Sequence, residues 1–426
     1  MQKHARTILA ILASLVIAVT VVTPFHVHGQ AYVANARVAD PELLNIATLT
    51  NPPPLGSGIN LGGFSALTHL PFDPENVFYT LTDRGPNQTV AGQARFPLPK
   101  FTPTILRIEV VGNTINILQQ IPLKLPQGTD PITGTQFISG VSNIAGLDEA
   151  PFDPNGNPLP NDPYGLDTEG IAYDSRTNTF WLSEEYRPSL VEVTLDGTIL
   201  RRLIPQGQAS LFAGATNVPI LDVLPAELAK RVQNRGLEGV AVTPNGKFLY
   251  TAIQSSLANP NSSVVSTSRV LRIVKMDLTT LQPLSEFAYL TPVVPGVNQN
   301  NIFISDLAAV SDDVLLVDER DNQVKHKNIV RIDVEEATDI LGQTYQGKTP
   351  EQMTVQELEQ AGVVFPARTV ILDLLEFGYP FAKVEGMTVV GNKLNLVNDN
   401  DFQVGGTDVT QLWTFQVSRR RQFGGE

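Results

Sequence analysis

The sequence predicts an all-β protein folded as a single β-propeller. Three observations favour this fold class. A hairpin unit recurs along the chain, several copies continue into a second hairpin, and no clear linker divides the 426 residues. Four antiparallel strands repeated around a circle are the pattern of propeller blades. Hydrophobic residues make up 42% of the chain, which is enough apolar material for the core of such a domain.

The first thirty residues have the layout of a secretory signal peptide. Basic residues open the chain, and residues 8–22 form an apolar run that Pro24 ends. This run is shorter than the roughly 20 residues that a membrane helix needs. We therefore expect a signal peptide over residues 1–31 and a mature domain over residues 32–426. An uncleaved membrane anchor is the alternative.

Charge and cysteine content exclude several classes of function. The chain has 30 basic and 43 acidic residues, a formal net charge of −13, which disfavours binding to nucleic acid. It has no cysteine, so disulfides, thiolate metal sites and cysteine nucleophiles are excluded. An exported chain without cysteine is typical of the bacterial periplasm or the exterior. No stable membrane span is expected once the signal peptide is removed, and the oligomeric state is left open.

The repeated unit is a short apolar strand, a tight turn and a second apolar strand that ends in polar residues. Three copies begin with the dipeptide Glu-Gly, at Glu169, Glu238 and Glu385. Two further copies begin at Ser65 and Ser305 and lack this dipeptide. The copies are farther apart than the roughly 40–50 residues of a bare blade. We therefore expect five or six blades of four strands, with insertions.

The segments between the copies complete the predicted architecture. Residues 122–164 are rich in Pro, Gly, Asn and Asp and predict a long surface loop. Residues 224–234 predict a short helix, and a second helix is expected with Thr349 as N-cap and Pro350 at its first position. A strand over residues 43–50 is expected to close the ring by joining the last blade. Two β-sandwich domains with coincidental hairpins are the alternative fold.

Polar residues at the strand ends are the candidate functional residues. The first strand of each propeller blade lines the central channel, so we expect Glu169, Glu238 and Glu385 at one mouth of that channel. In an antiparallel hairpin the end of the second strand lies beside the start of the first. The polar ends that join this mouth include Arg84, Glu185, Asp318, Arg320 and Asn398. The expected result is an acidic ring that contains two arginines.

Carboxylate and amide oxygens without histidine or sulfur point to a hard cation, Ca²⁺ rather than Zn²⁺. The predicted metal ligands are Glu169, Glu238, Glu385, Asp318 and Asn398. The predicted catalytic residues are Glu169, Glu185, Arg84 and Arg320. Two structural alternatives stay open: the glutamates bind backbone N–H groups at strand ends, and the arginines form internal salt bridges instead of binding a substrate anion.

Serine and histidine chemistry finds little support in the sequence. No G-x-S-x-G motif, phosphate-binding P-loop or H-E-x-x-H motif occurs. Only His69 and His326 follow the predicted signal peptide. His69 is expected to be a packed or surface residue, and His326, between two lysines, is expected in an exposed turn.

Several motifs together resemble the phytase-like family, whose domain is described as having the esterase-like activity of phytase. They are residues 81–85 (LTDRG), 167–172 (DTEGIA), 180–190 (FWLSEEYRPSL), 318–322 (DERDN), 384–386 (VEG) and 396–402 (LVNDNDF). The resemblance covers residues 62–417, the expected propeller core. It implies an exported bacterial β-propeller that hydrolyses phosphoesters or carboxylic esters, with a small anionic or ester substrate.

Two other groups of propellers are similar in single features. Calcium-dependent propeller phytases have an acidic channel mouth whose bound Ca²⁺ ions hold substrate phosphates, and the expected acidic ring is similar in kind. Propeller lactonases of the gluconolactonase type begin a blade with Glu-Gly and use that glutamate as a metal ligand. A metal-dependent lactonase is therefore the alternative enzyme. A non-catalytic binding scaffold is the third possibility, because propellers host many functions.

Overall fold

The structure is a computed structural model that describes residues 40–418. The predicted signal peptide lies outside these residues. The described chain is nearly all β-strand, with one short α-helix, α1 (Val355–Gln360). Short 3₁₀ helices occupy Ala209–Phe212, Ala226–Lys230, Ser262–Val264, Gln299–Asn301, Pro350–Gln352, Leu374–Phe377 and Asp401–Gln403. Between residues 40 and 418, no helix is long and apolar enough to cross a membrane.

The strands are short and follow one another closely along the chain. The first half contains β1 (Glu42–Thr48), β2 (Pro54–Gly56), β3 (Ile59–Asn60), β4 (Phe64–Thr68), β5 (Val77–Thr82), β6 (Gln88–Val90), β7 (Gln93–Arg95), β8 (Thr104–Val111), β9 (Thr114–Pro122), β10 (Pro151–Phe152), β11 (Thr168–Asp174), β12 (Thr179–Glu184) and β13 (Ser189–Thr194). The second half contains β14 (Ile199–Pro205), β15 (Ile220–Leu224), β16 (Leu237–Val242), β17 (Phe248–Ile253), β18 (Val270–Asp277), β19 (Gln282–Leu290), β20 (Phe303–Ala309), β21 (Val314–Arg320), β22 (Lys327–Asp333), β23 (Ala367–Asp373), β24 (Val384–Val390), β25 (Lys393–Asn398) and β26 (Gln411–Gln416).

Most strands form four-stranded antiparallel units. Unit one is β4-β5-β8-β9, unit two β11-β12-β13-β14 with β15 added in parallel, unit three β16-β17-β18-β19, unit four β20-β21-β22-β23 and unit five β24-β25-β26-β1. The strand β1 pairs antiparallel with β26, so an early segment joins the last unit, as the sequence predicted for residues 43–50. A single parallel pair, Thr48 with Thr114, joins units five and one.

The innermost strands pack side by side in a cycle that runs β4, β11, β16, β20, β24 and back to β4. Buried apolar clusters lie between neighbouring units; for example, the rings of Tyr79 in unit one and Phe180 in unit two are 5.3 Å apart. Burial of these faces is the main stabilising contribution, at about 25 cal/mol per Å² of apolar surface. The fold is therefore nearly all-β and propeller-like.

Every innermost strand shifts register against its neighbour at the start of the repeat found in the sequence. The shifts fall at Ser65, Glu169, Glu238, Ser305 and Glu385, with Gly239 also included in unit three. A β-bulge turns a side chain away from the regular alternation of the strand. The Glu-Gly and Ser copies of the sequence repeat thus occupy the same structural position.

The glycine of each Glu-Gly pair allows close contact with the next innermost strand. A Cβ atom on Gly170 would lie 2.5 Å from the carbonyl oxygen of Glu238, and one on Gly386 would lie 2.5 Å from the carbonyl carbon of Ala66. A Cβ on Gly239 would lie 2.5 Å from the backbone nitrogen of Leu307. Each of these atoms belongs to backbone, which cannot move aside as a side chain can. In each Glu-Gly dipeptide, the glutamate therefore lies at a β-bulge and the glycine allows the close backbone contact between units.

The variant Gly239→Ala is expected to lower the free energy of unfolding by about 2–3 kcal/mol, because the added methyl group forces adjacent backbones apart. Urea unfolding followed by circular dichroism measures this loss. Gly406→Ala is the matched control, since no atom lies within 4 Å of its added Cβ. A change within about 0.5 kcal/mol is expected there. Equal losses for the two variants would contradict the packing explanation.

The insertions differ from the prediction in detail. Thr349 and Pro350 begin only a 3₁₀ turn, because Met353 is extended; the α-helix starts one capping box later, with Thr354 as N-cap and Glu357 as its partner. The predicted helix over residues 224–234 is a 3₁₀ helix, Ala226–Lys230. The loop over residues 122–164 is largely irregular, but much of it is buried against the units.

Candidate functional site

The bulged glutamates Glu169, Glu238 and Glu385 are all buried, with exposures of 7%, 1% and 2%. Their carboxyl groups lie close enough to affect one another: burial, and then the charge of Glu238, raise the pKa of Glu169 well above its usual range. Burial and then Glu385 raise the pKa of Glu238 to about 8. We call this end of the innermost strands the channel mouth. The structure brings the three predicted glutamates together there.

Three carboxylates at the mouth form the tightest acidic group. One oxygen each of Asp167, Glu169 and Glu185 lies within 4.8 Å of the others, and we call these residues the acidic triad. Antiparallel pairing places them together, because Asp167 precedes β11, Glu169 is its bulged residue and Glu185 follows β12. The backbone N–H of Glu185 donates to the carbonyl of Asp167 at 2.9 Å.

The acidic triad concentrates negative charge in a buried place. Burial, followed by the charge of Asp167, raises the pKa of Glu185 well above its usual range. Within residues 40–418, neither Glu169 nor Glu185 has a basic side chain within 4 Å. The side-chain amide of Gln254 donates to Glu185 at 2.8 Å and also to Glu238. Like charges held this way persist when they bind protons or a cation.

The mouth also contains buried acceptor atoms that receive no hydrogen bond from the described residues. They are Glu238 Oε2, Glu385 Oε2 and Asp167 Oδ2, the last of which lies 3.5 Å from the Arg84 guanidinium. All donors of the triad are carboxylate oxygens, the ligands that Ca²⁺ and other hard cations prefer. The residues therefore fit a hard divalent cation.

Arg84 lies at the mouth within a set of internal contacts. Its guanidinium forms ion pairs with Glu149 and, at 3.5 Å, with Asp167. It donates to Asn234 at 2.9 Å and lies 5.5 Å from the ring centre of Tyr186. Glu149 belongs to the irregular loop over residues 122–164, whose composition gave no sign of a contact with the site.

Arg320 is held in a similar way. Its guanidinium donates to Glu385, to the Ser305 hydroxyl at 2.6 Å and to Asn322. Glu385 and Ser305 are bulged residues of neighbouring units, so Arg320 links two starts of the repeat. Both arginines thus form the internal salt bridges that the sequence left as one of two alternatives.

Sequence reasoning missed a third cation at the mouth, Lys383. Its ammonium group lies 2.7 Å from Asp399 and 2.6 Å from Asp401. The signal was present in the repeat, because Lys383 stands two residues before Glu385 just as Asp167 stands two residues before Glu169. Aligning the repeats over these positions would have included both residues in the predicted site.

Two predicted ligands occupy different surroundings. Asp318 is fully buried, and neither of its carboxyl oxygens has a hydrogen-bond partner in the described chain. Burial, moderated first by Arg320, raises its pKa well above the usual range. The Asn398 amide instead donates to the carbonyls of Asp399 and Val409 and accepts from the N–H of Gln411, contacts that hold a loop.

The two histidines of the described chain, His69 and His326, contact residues outside the acidic triad. The expectation of an exposed His326 was wrong: it is 8% exposed, and its Nε2 lies 2.9 Å from Glu319 of β21. His69 Nδ1 lies 2.8 Å from the carbonyl of Val77. His69 lines a cavity of about 230 Å³ together with residues from all five innermost strands.

Fold and site together define a class: a propeller-like protein with a buried acidic channel mouth suited to a hard cation. The chain belongs to the phytase-like family. Residues 59–402 match the family described as "Phytase-like: Esterase-like activity of phytase". That description suggests an esterase-like hydrolase activity.

The chain is also similar to individual proteins. It is 26% identical over 255 residues to an "Uncharacterized secreted protein" of Arthroderma benhamiae, an alignment that covers 53% of this chain and 48% of that relative. The aligned part thus spans about half the relative's length. Among solved structures, hydrazine synthase of Kuenenia stuttgartiensis is 10% identical at a TM-score of 0.34, with 82% of this chain and 80% of that one covered. A nidogen/laminin complex is 11% identical at a TM-score of 0.27, with 76% and 68% covered.

Proposed function

We propose that this chain is an exported hydrolase that cleaves phosphoesters or carboxylic esters at the channel mouth, with Ca²⁺ as the bound cation. The acidic triad carries this proposal, because three buried carboxylates have oxygens within 4.8 Å of one another, and among the described residues Arg84, paired with Asp167, is the single basic side chain within 4 Å of them. The phytase-like family supports hydrolysis, and the name of the secreted relative supports export. The absence of cysteine from the chain favours the bacterial periplasm or the exterior as the destination. We also infer five blades, one for each four-stranded unit.

The proposed cation ligands are the acidic triad together with acids of the neighbouring units. The acids are Glu238, Glu385 and Asp318, as the sequence suggested, and Asp167 is the member of the triad that the sequence did not include. The amide oxygen of Asn398 is kept as a proposed ligand, in addition to the loop contact that it makes with Gln411. A divalent cation bound there would neutralise substrate charge and polarise the scissile phosphoryl or carbonyl group. Ion binding and catalysis would then occur in one buried, low-dielectric place, where electrostatic interactions are strong.

The residues of the chain supply the proton transfers in this proposal. Glu185, held by Gln254, takes a proton from the attacking water, whose oxygen forms a bond to phosphorus or to the carbonyl carbon. The bond to the ester oxygen breaks, and the leaving oxygen receives that proton back from Glu185. Glu169, as one of the proposed cation ligands, would position the reacting group beside this base through the cation. Arg84 and Arg320 are the residues proposed to orient the substrate anion, in addition to the internal salt bridges that they form.

Phosphate release from phytate by the mature chain, residues 32–426, tests the proposal. We expect release with Ca²⁺, loss of release with a chelator and full recovery when Ca²⁺ is returned. No release in either condition would overturn the phosphoesterase form of the proposal. Carboxylic esters and sugar lactones are then tested in the same two conditions. Opening of lactones without phosphate release would identify the lactonase alternative, and no turnover of any substrate would identify a binding scaffold.

A further inference from the structure

A second candidate binding site is a groove of about 460 Å³ between units three and four. Its walls come from the start of β18, the end of β19 and the segment that leads into β23. Arg269 and Arg368 lie among the lining residues with Leu290, Val293 and Phe365. None of these residues belongs to the acidic triad or pairs with it. The volume is within the usual range for small-molecule sites, about 300–1,000 Å³.

One wall of the groove is apolar and firmly supported. Leu290 and Phe365 pack against a buried cluster that includes Val270 and Leu358. Val293 stands at the rim with 71% of its surface exposed. Proline residues, Pro292 and Pro366, complete this wall and restrict the backbone on both sides. An apolar ligand body placed here would bury surface that is now in contact with water.

The two arginines of the groove carry more positive charge than the neighbouring carboxylates neutralise. Arg368 pairs with Glu319 at 2.5 Å, and Glu319 also accepts a hydrogen bond from Tyr289 and faces His326. Glu319 is therefore fully engaged. The Nε of Arg269 donates to the carbonyl of Thr291 at 2.7 Å, but no carboxylate of the described chain lies within 4 Å of its guanidinium.

The Arg269 guanidinium thus lies close to a second positive charge, that of Arg368. Burial, and then the charge of Arg368, lower the pKa of Arg269. A guanidinium in this position has unused N–H groups in a planar arrangement that matches a carboxylate. An anion bound to it would remove the repulsion, and the adjacent apolar wall would favour an anion with a hydrocarbon body over a small hydrated one.

We propose that this groove binds an organic carboxylate, with the carboxylate on Arg269 and the apolar body against Leu290 and Phe365. The ligand class follows from two neighbouring features: an arginine that has no carboxylate within 4 Å in the described chain, and an apolar wall. The site is independent of the proposed hydrolase function and does not require Ca²⁺.

Calorimetric titration of the mature chain, in the presence of a chelator, tests this site with three probes. They are 4-phenylbutyrate, which has both parts of the ligand, acetate, which has only the carboxylate, and 4-phenylbutanol, which has only the apolar body. We expect 4-phenylbutyrate to bind at least tenfold more tightly than either of the others. Absence of its binding at millimolar concentration, or equal binding of acetate, would overturn the proposal.

Two variants locate the binding. Arg269→Ala is expected to weaken 4-phenylbutyrate binding about tenfold, the usual effect of losing a hydrogen bond to a charged group. Val293→Asp places a negative charge on an exposed rim residue, so it is expected to fold normally and to weaken binding by repulsion. Arg95→Ala, which removes an arginine far along the chain from the groove, is the control and should bind as the unaltered chain does. Unchanged binding in Arg269→Ala would show that the probe binds elsewhere.

Discussion

Glu169→Gln and Glu185→Gln are each expected to lower turnover by about a hundredfold or more while the protein stays folded. Each change removes a charge from the acidic triad and leaves a side chain of nearly the same shape. Glu185→Gln also removes the group that is proposed to carry the proton, a role usually worth about 10²–10⁴ in rate. Steady-state kinetics on the substrate found by the phytate, ester and lactone assays measures both losses.

Thermal unfolding with and without Ca²⁺ separates this role from a purely structural one. Without Ca²⁺, both variants should melt at a higher temperature than the unaltered chain, because one of several repelling carboxylates is gone. With Ca²⁺, the unaltered chain should gain stability by ligand linkage, and the variants should gain much less. Glu359→Gln is the matched control, since this exposed glutamate lies in α1, far along the chain from the triad. If Ca²⁺ stabilises all three variants equally, the triad is not the cation site.

The sequence predicted the architecture well wherever local pattern and structure coincide. The starts of the repeat, such as Glu169 and Ser305, are the places where the innermost strands bulge. The closing strand could also be predicted, because an apolar segment with no partner nearby in sequence, Glu42–Thr48, must pair somewhere. Hairpins form between residues that are close in sequence, so the alternation of apolar residues and the tight turns are enough to predict them.

The composition of the channel mouth was only partly predictable, because its contacts are long-range. Glu149 reaches Arg84 from a loop whose composition indicates nothing but irregular structure. Lys325 and Lys327 made His326 look exposed, yet cross-strand pairing of Arg320 with Lys327 carries that segment into the interior. The fully buried Lys327 ammonium then pairs with Asp321 at 2.8 Å. Local charge density was thus a poor guide to burial.

Arg272→Met is expected to lower the free energy of unfolding at neutral pH by about 4 kcal/mol, within the roughly 3–5 kcal/mol for breaking a buried ion pair. The buried Arg272 guanidinium lies 2.5 Å from Glu286 and 2.6 Å from Glu351, both of which are themselves buried. Glu351 belongs to the insertion before α1, so Arg272 attaches that insertion to unit three. Glu227 also lies 3.3 Å from the Arg272 guanidinium, so three carboxylates, two of them fully buried, lose this counter-charge when the arginine is removed.

The pH dependence of this loss tests its electrostatic origin. Burial raises the pKa of Glu286 well above its usual range even with Arg272 beside it. A carboxyl group whose pKa is raised in the folded state makes folding less favourable as pH rises and more favourable as pH falls. The deficit of Arg272→Met, measured by urea unfolding, should therefore be largest at pH 7.5 and smaller at pH 5. Adding Glu286→Gln and Glu351→Gln to Arg272→Met should recover much of the stability, because both fully buried carboxylates become neutral and only the less buried Glu227, 3.3 Å from Arg272 in the unaltered chain, stays charged. If the lowered free energy of unfolding does not depend on pH or on these added substitutions, the loss arises from packing. Catalytic turnover per folded molecule should be unchanged in all of these variants.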